Sequence, residues 1–475
     1  MELLDPERNR LDRLDEEDGQ VDDLAVPTGG SSVTGGSVTH PVAIPVESID
    51  ADALKVIHRL TRHGHEAYLV GGCVRDLLLD FRPKDFDIAT SAWPGEIREL
   101  FRNCRIIGRR FRLAHILFAG KFIEVSTFRG NAAEAAEAGG GEDLLIREDN
   151  VFGSPEEDAR RRDFTCNALF YDVERQEIID FVGGMEDIGR RMVCSIGDPQ
   201  IRLREDPVRI LRAVRFSARL GFECEQEIHQ AIADVKDDLV KSAPPRVHEE
   251  LLKTLASGAS SACFRMLYET GVLQVLMPSI SDAVEGAGGF LFPLLEALDR
   301  YDQGFRSLPD SALIAALLYP VYAKEADEQE DPYFWLEGLR EGSPIFTSTR
   351  RRDIERILQV FRAQRRFARE AKARRPNLGA FIRKDYFQDA WLLFKLVSEV
   401  TGEHREFIED WEPRLSGPRR PAPAAMPPQR YFTPAAPAPE GDEGGSDPLV
   451  RRRRRRGGRG RRRGGSFDAA SGARS

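Results

Sequence analysis

Residues 68–90 read YLVGGCVRDLLLDFRPKDFDIAT, and the order of parts in this stretch decides the fold. "EAYLV" (66–70) reads as a short strand, "GG" (71–72) as a turn and "CVRDLLLD" (73–80) as a helix. "DFDIAT" (85–90) reads as a second strand. Side chains at i and i+2 of a strand share a face. The spacing therefore predicts Asp85 and Asp87 on one side, with Phe86 and Ile88 turned toward a core. Like charges held close raise each other's pKa unless a cation lies between them. A hard divalent ion such as Mg²⁺ takes carboxylate oxygens; a turn with two solvated aspartates is the plainer alternative. Gly71 and Gly72 let the backbone turn tightly and present bare N–H groups at a helix start, where phosphate binds. No GK[ST] follows, so this is not a Walker A loop. Arg75, one helical turn on, can clamp a phosphate or pair with Asp76 at the surface.

Outward from this stretch the chain divides by composition. Its 475 residues allow two or three domains. Residues 1–48 are acidic and then Gly/Ser-rich, and are expected to be disordered. Helical spacing begins near Ile49. "RLAHILFAG" and "KFIEVSTFR" read as a hairpin turning at Gly120, and residues 131–150 as a mobile Ala/Gly/Glu-rich loop. "RDFTCNALFYDV" and "EIIDFVGG" add strands, closing a mixed head at 49–184. Strand signals then stop, leaving a helical neck (185–270) and a helical body (271–416). A Pro/Ala stretch and an Arg/Gly run make up a disordered tail (417–475). The fold class expected is α+β, a mixed-sheet head followed by all-helical domains.

The bulk numbers narrow the classes. No apolar run reaches a membrane span, and the acidic start lacks the apolar core of a signal peptide. Six scattered cysteines without a CxxC pair argue against zinc and disulfide frameworks and fit a reducing cytoplasm. The net charge of −9 hides an asymmetry: residues 451–475 hold eleven arginines and one aspartate, a charge of +10, which leaves the rest at −19. An acidic body with a basic tail suits an enzyme carrying a tether for a polyanion.

A third carboxylate, Glu124, lies in "FIEVSTFR" on a face with Phe122 and Ser126. Three carboxylates beside a phosphate turn suggest two-metal phosphoryl transfer. "YLVGGCVRDLLL…KDFDIAT", "IEVSTFR", "RRDFTCNALF" and "EDPVRILRAVRFSARLGF", in that order, resemble the class II nucleotidyltransferase family of tRNA CCA-adding enzymes and bacterial poly(A) polymerases. The resemblance implies that Asp85 and Asp87 bind two Mg²⁺ ions, with Glu124 as supporting carboxylate and Asp163 counted with the catalytic aspartates. It implies nucleotide contacts at Gly71, Gly72, Arg75, Arg162, Asp206, Arg209, Arg212 and Arg215, with Asp206 and Arg209 reading the base edge. Arg209, Arg212, Arg215 and Arg219 recur at three and four residues, a stripe on one side of a helix, for which a solvated face is the alternative. Asp206 before Pro207 also suits a helix N-cap.

The segments "CRIIGRRFRLAHI" and "NVFGSPEEDARRRDFT" and the Arg-rich tail are similar to the bacterial poly(A) polymerase I branch. The implied reaction is attack of an RNA 3′-hydroxyl on the α-phosphate of ATP, with Arg109–His115 shaping a purine pocket. Tracking of RNA phosphates falls to the amphipathic "RRRDIERILQVFRAQRRFAREAKARR", whose alternative is an ordinary basic surface helix, and to the tail. CCA addition to tRNA, a non-catalytic RNA-binding module and a DxD glycosyltransferase are the rival readings. No membrane partner is expected, and no RNA-decay or RNA-chaperone partner is legible.

Overall fold

The structure, a computed structural model, describes residues 32–34, 36–108, 112–130, 152–286, 290–302, 308–325, 331–339, 343–374 and 378–415. The head is built on a nine-stranded sheet. Its strands in chain order are β1 (Ser32–Thr34), β2 (Ser37–Pro41), β3 (Ala67–Val70), β4 (Asp87–Thr90), β5 (Cys104–Ile107), β6 (Leu113–Phe118), β7 (Lys121–Thr127), β8 (Phe170–Asp172) and β9 (Glu177–Asp180). In space they run β1-β2-β9-β8-β3-β4-β7-β6-β5. All neighbours are antiparallel except β4 and β7, which are parallel. A parallel pair needs a crossover, supplied here by the helix Pro94–Leu100 and strands β5 and β6. One face of the sheet is apolar: Leu69, Ile88, Val125 and Ala114 pair in one row and are all but fully buried.

Several expectations need correction. The stretch expected to be disordered up to residue 48 contains β2, which pairs with β9 through Val38↔Asp180 to Pro41↔Glu177. Its Gly/Ser/Thr composition hides alternating β-branched residues whose ladder partners lie far along the chain. The strand expected over 85–90 begins at Asp87, because its neighbour β3 ends at Val70, where Gly71 turns away at φ 74°. Strand β5 lies in a stretch given no element. Two short strands, β10 (Met192–Val193) and β11 (Glu223–Cys224), pair in parallel inside the neck expected to be all helix. Gly120, at φ 82°, turns the β6–β7 hairpin as expected.

Beyond the head the described chain is mainly helical. The helix Val208–Leu220 ends at Gly221 in the left-handed conformation. Its N-cap is Pro207, not Asp206, which instead closes the preceding helix Pro199–Glu205. The expected amphipathic helix spans Arg351–Ala371 and buries Ile357, Leu358 and Phe361. Several of its arginines serve packing: Arg356 bonds Asp389 at 2.8 Å, and Arg366 lies 4.3 Å over the Phe381 ring. No helix among the described residues is long and apolar enough to cross a membrane. The described residues up to Leu415 form one compact unit, and the head–neck border expected at residue 184 falls at the start of the helix Gly184–Gly189. The 131–150 loop, Arg109–Phe111 and the Arg/Gly tail lie outside the described residues.

Candidate active site

A cleft of about 2000 Å³ opens between the head sheet and the neck. Gly71, Gly72, Arg75, Asp85, Asp87, Arg162, Asp163, Asp206, Arg209, Arg212 and Arg215 all line it, so most of the residues singled out in the sequence meet in one place. Glu124 does not line it; it sits behind Asp87, as Asp87's directly opposed partner across the β4–β7 ladder.

The head wall is acidic and unbalanced. The Asp87 side chain opens to solvent, yet protein surrounds its carboxyl closely enough to push it up to about 6, desolvation first and then the charges of Glu124 and Asp85, against the pull of Arg162. Two like-charged neighbours against one guanidinium leave a carboxyl that a cation would stabilise. Among the described residues no three His, Cys, Asp or Glu side chains converge as a complete metal cage. That fits Mg²⁺, which is held by one or two carboxylates and completes its shell with substrate phosphates and water. Among the described residues Glu124 meets His115, whose Nε2 lies 3.3 Å from Oε2.

The turn beside this wall is shaped by Gly71. Its φ of 74° is one that L side chains rarely adopt, and a Cβ there would stand 3.0 Å from Nη1 of Arg162. The Gly71 N–H donates to Leu169 O at 3.2 Å, so it is Gly72 that opens the helix Gly72–Leu78 with a first-turn N–H. Arg75 is not at the surface. It is 1% exposed, its Nε and Nη2 donate to Asp76 Oδ1 at 3.0 and 2.6 Å, and its Nη1 donates to Asn167 Oδ1.

The neck wall is basic and already balanced. Arg212 Nε donates to Asp163 Oδ2 at 2.6 Å, Arg215 Nε to Glu250 Oε1 at 2.6 Å, and Arg219 Nη2 to Asp76 Oδ2 at 2.9 Å. The stripe is therefore a wall of the cleft, not a solvated face. Three guanidiniums, of Arg75, Arg212 and Arg215, lie 4.5–5.2 Å from the Phe216 ring. Asp163 also accepts from Phe164 N at 2.9 Å and from Asn167 Nδ2 at 3.3 Å. Burial alone would raise its pKa; the Arg212 charge and these hydrogen bonds outweigh it and hold Asp163 at about 2. Its contacts thus anchor Arg212.

Asp206 and Arg209 are both held by neighbours. Arg246 forks onto Asp206, Nη1 to Oδ1 at 2.9 Å and Nη2 to Oδ2 at 2.6 Å. Arg209 is buried, and its Nη1 donates to Arg202 O at 2.7 Å and Glu205 Oε2 at 3.1 Å. Arg202 in turn donates through Nη2 to the carbonyls of Arg161 and Arg162 at 2.8 and 2.7 Å. Arg162 itself is held by Asp158, at 2.8 Å from Nη2. Sequence reasoning missed Asn167, Arg202, Arg246 and Glu250. The one signal available was the i, i+4 spacing of Arg246 and Glu250 on a later helix, Pro244–Leu255.

Comparison with known proteins follows the same lines. Residues 67–194 match the family described as "Poly A polymerase head domain", and residues 221–284 that described as "Probable RNA and SrmB- binding site of polymerase A". The chain is 47% identical over 243 residues to poly(A) polymerase I of Escherichia coli O6:H1, covering 50% of this chain and 52% of that one. It is 39% identical over 230 residues to a CCA-adding enzyme of Geobacillus sp., covering 48% and 55%. The chain thus spans about half the length of these curated relatives. Among solved structures, the CCA-adding enzyme of Bacillus stearothermophilus in complex with CTP is 27% identical with a TM-score of 0.56, over 77% of this chain and 81% of that one. Head motifs, helical neck and relatives point the same way: residues 67–194 form a head domain of the poly(A) polymerase kind, and the chain is similar to the poly(A) polymerases and CCA-adding enzymes of the class II nucleotidyltransferase family.

Proposed function

We propose that the protein is a template-independent polynucleotide adenylyltransferase that adds AMP from ATP to RNA 3′ ends and releases pyrophosphate. The observation that carries this reading is the cleft with an unbalanced acidic wall facing a prebuilt basic one. Asp85 and Asp87 would hold Mg²⁺, with Glu124 as the carboxylate behind them. When bound, two such ions lower the pKa of the attacking hydroxyl and stabilise the leaving oxygen. In this reading the Gly72 N–H and Arg162 hold the triphosphate, while Arg75 and Asp163 position those around them. Asp206 accepts from the exocyclic amine of adenine, and Arg209 donates to its ring nitrogen through the N–H groups not used by Arg202 and Glu205. Similarity to poly(A) polymerase I at 47% identity supports adenine as the base and RNA as the acceptor. The Arg/Gly tail serves as an electrostatic RNA tether, in a reducing cytoplasm.

The second reading is CCA addition to tRNA, favoured by the relative at 39% identity. The experiment offers ATP, CTP or both to a tRNA lacking its 3′ CCA and to an unstructured oligonucleotide. Long tails on the oligonucleotide with ATP alone support the proposal. Two cytidines and one adenosine added to the tRNA only, followed by a stop, overturn it.

A further inference from the structure

We propose that the open face of strands β5–β7 seats the RNA's 3′-terminal nucleotide, its base stacked on Phe122 and its adjoining phosphate held by Arg105. This rests on the adenylyltransferase reading and deepens it. Strand register places Asp87, Glu124, His115 and Arg105 in one row across four strands. The next row, Ile88, Val125 and Ala114, is buried against the core, so the charged row lies on the opposite face. The nucleotide cleft meets Asp87 from the side of Gly71 and Asp206, and neither Glu124 nor His115 nor Phe122 lines it. An acceptor hydroxyl must reach the same carboxylate from the side the nucleotide leaves open. Along the sheet, that side is Glu124 and the strands beyond it.

The surface there is suited to a base. Phe122 lies two residues from Glu124 on the same face, about 7 Å along the strand, and is 52% exposed. Its ring stacks on His115 at a centroid distance of 4.1 Å and an interplanar angle of 12°. The His115 contact with Glu124 at 3.3 Å fixes that imidazole in turn. One face of the phenyl ring is thus backed, and the other is left for a base. Bases stack on aromatic rings without regard to sequence, as an enzyme that extends any RNA end requires. Arg105 sits directly opposite His115, exposed and without an ion pair among the described residues.

The test measures oligonucleotide extension by the full chain with ATP. Phe122→Ala should raise KM for the RNA about five-fold or more and leave KM for ATP within about two-fold. Phe122→Trp should restore the RNA KM, and Arg105→Ala should raise it and flatten its salt dependence. Melting temperatures check that each variant folds. If the wild type extends RNA and Phe122→Ala leaves its RNA KM unchanged, or raises both KM values alike, the seat is wrong and adenylyl transfer stands. If the wild type extends no RNA with any nucleotide, the functional reading falls. The seat is then judged by photocrosslinking an oligonucleotide with 4-thiouridine at its 3′ end. A crosslink within residues 105–124 supports the seat, and one elsewhere overturns it.

Discussion

The two walls of the cleft carry opposite charge, but the deeper contrast is in how that charge is balanced. On the neck wall every guanidinium of the stripe has a carboxylate at hydrogen-bond distance: Arg209 with Glu205, Arg212 with Asp163, Arg215 with Glu250, Arg219 with Asp76. On the head wall burial and the like charges of Glu124 and Asp85 outweigh the pull of Arg162 on Asp87, and its carboxyl is lifted to about 6. One wall is balanced by its own folding, and the other is left unbalanced by it. A substitution on the first should therefore be read out as stability, and on the second as function.

Asp87→Asn should show the largest effect on turnover. Loss of a carboxylate proposed to hold Mg²⁺ should lower nucleotidyl transfer about a thousand-fold or more, while the fold survives because no side-chain partner of Asp87 is stranded among the described residues. Near-normal turnover in Mg²⁺ would remove the metal role. Glu250→Ala should do the reverse. Glu250 is 4% exposed and takes Arg215, with Arg212 at 4.0 Å. Leaving the largely buried Arg215 guanidinium unpaired, while Arg212 keeps Asp163, costs about 3 kcal/mol, read by denaturant unfolding. Glu250→Gln, which keeps an acceptor, should recover part of that loss. A Glu250→Ala variant as stable as wild type would mean that the neck wall is not balanced by its own ion pairs.

The smallest effect is in the pH dependence of stability without metal. The Asp87 carboxyl rises from an ordinary 3.8 to about 6 on folding, so the folded chain keeps a proton that the unfolded chain has lost. Stability should fall as pH rises from about 4 to about 6 through this group. Asp163 has the opposite sign. Held at about 2, it contributes stability above about pH 4 that is lost as pH falls toward 2. The check is the melting temperature of wild type minus that of Asp87→Asn in EDTA. The difference should drop between pH 4 and 6, and Mg²⁺ should abolish the drop. A flat difference would mean that Asp87 is not strained by its neighbours.

What the sequence reveals follows from the range of the interactions. The helix Arg351–Ala371, the β6–β7 hairpin and the Gly71 turn are decided by neighbours in the chain, and all three were legible. The arginine stripe was legible as a periodicity, but its direction was not, because Asp163, Asp76 and Glu250 come from distant segments. Strand β2 went unread for the same reason: its pairing with β9 is long-range, and its composition imitates a linker. For Arg75 the pairing with Asp76, the alternative to a phosphate clamp, is a local feature and was legible, while its burial beside Phe216 was not. The fork of Arg246 on Asp206 joins two helices and leaves no mark on either one alone.

The parallel pairing of β4 with β7 bears on how the protein is made. Asp87 and Glu124 stand side by side in space but are thirty-seven residues apart in the chain. At about 5–20 residues per second of synthesis, Asp87 leaves the ribosome roughly 2–7 s before Glu124 does. Strand β4 must wait through the crossover before its parallel neighbour exists, and such non-local pairings form slowly. The two carboxylates that burden each other most are thus brought together among the later events of head folding. The nascent chain is spared their repulsion until β3, β5 and β6 have been made.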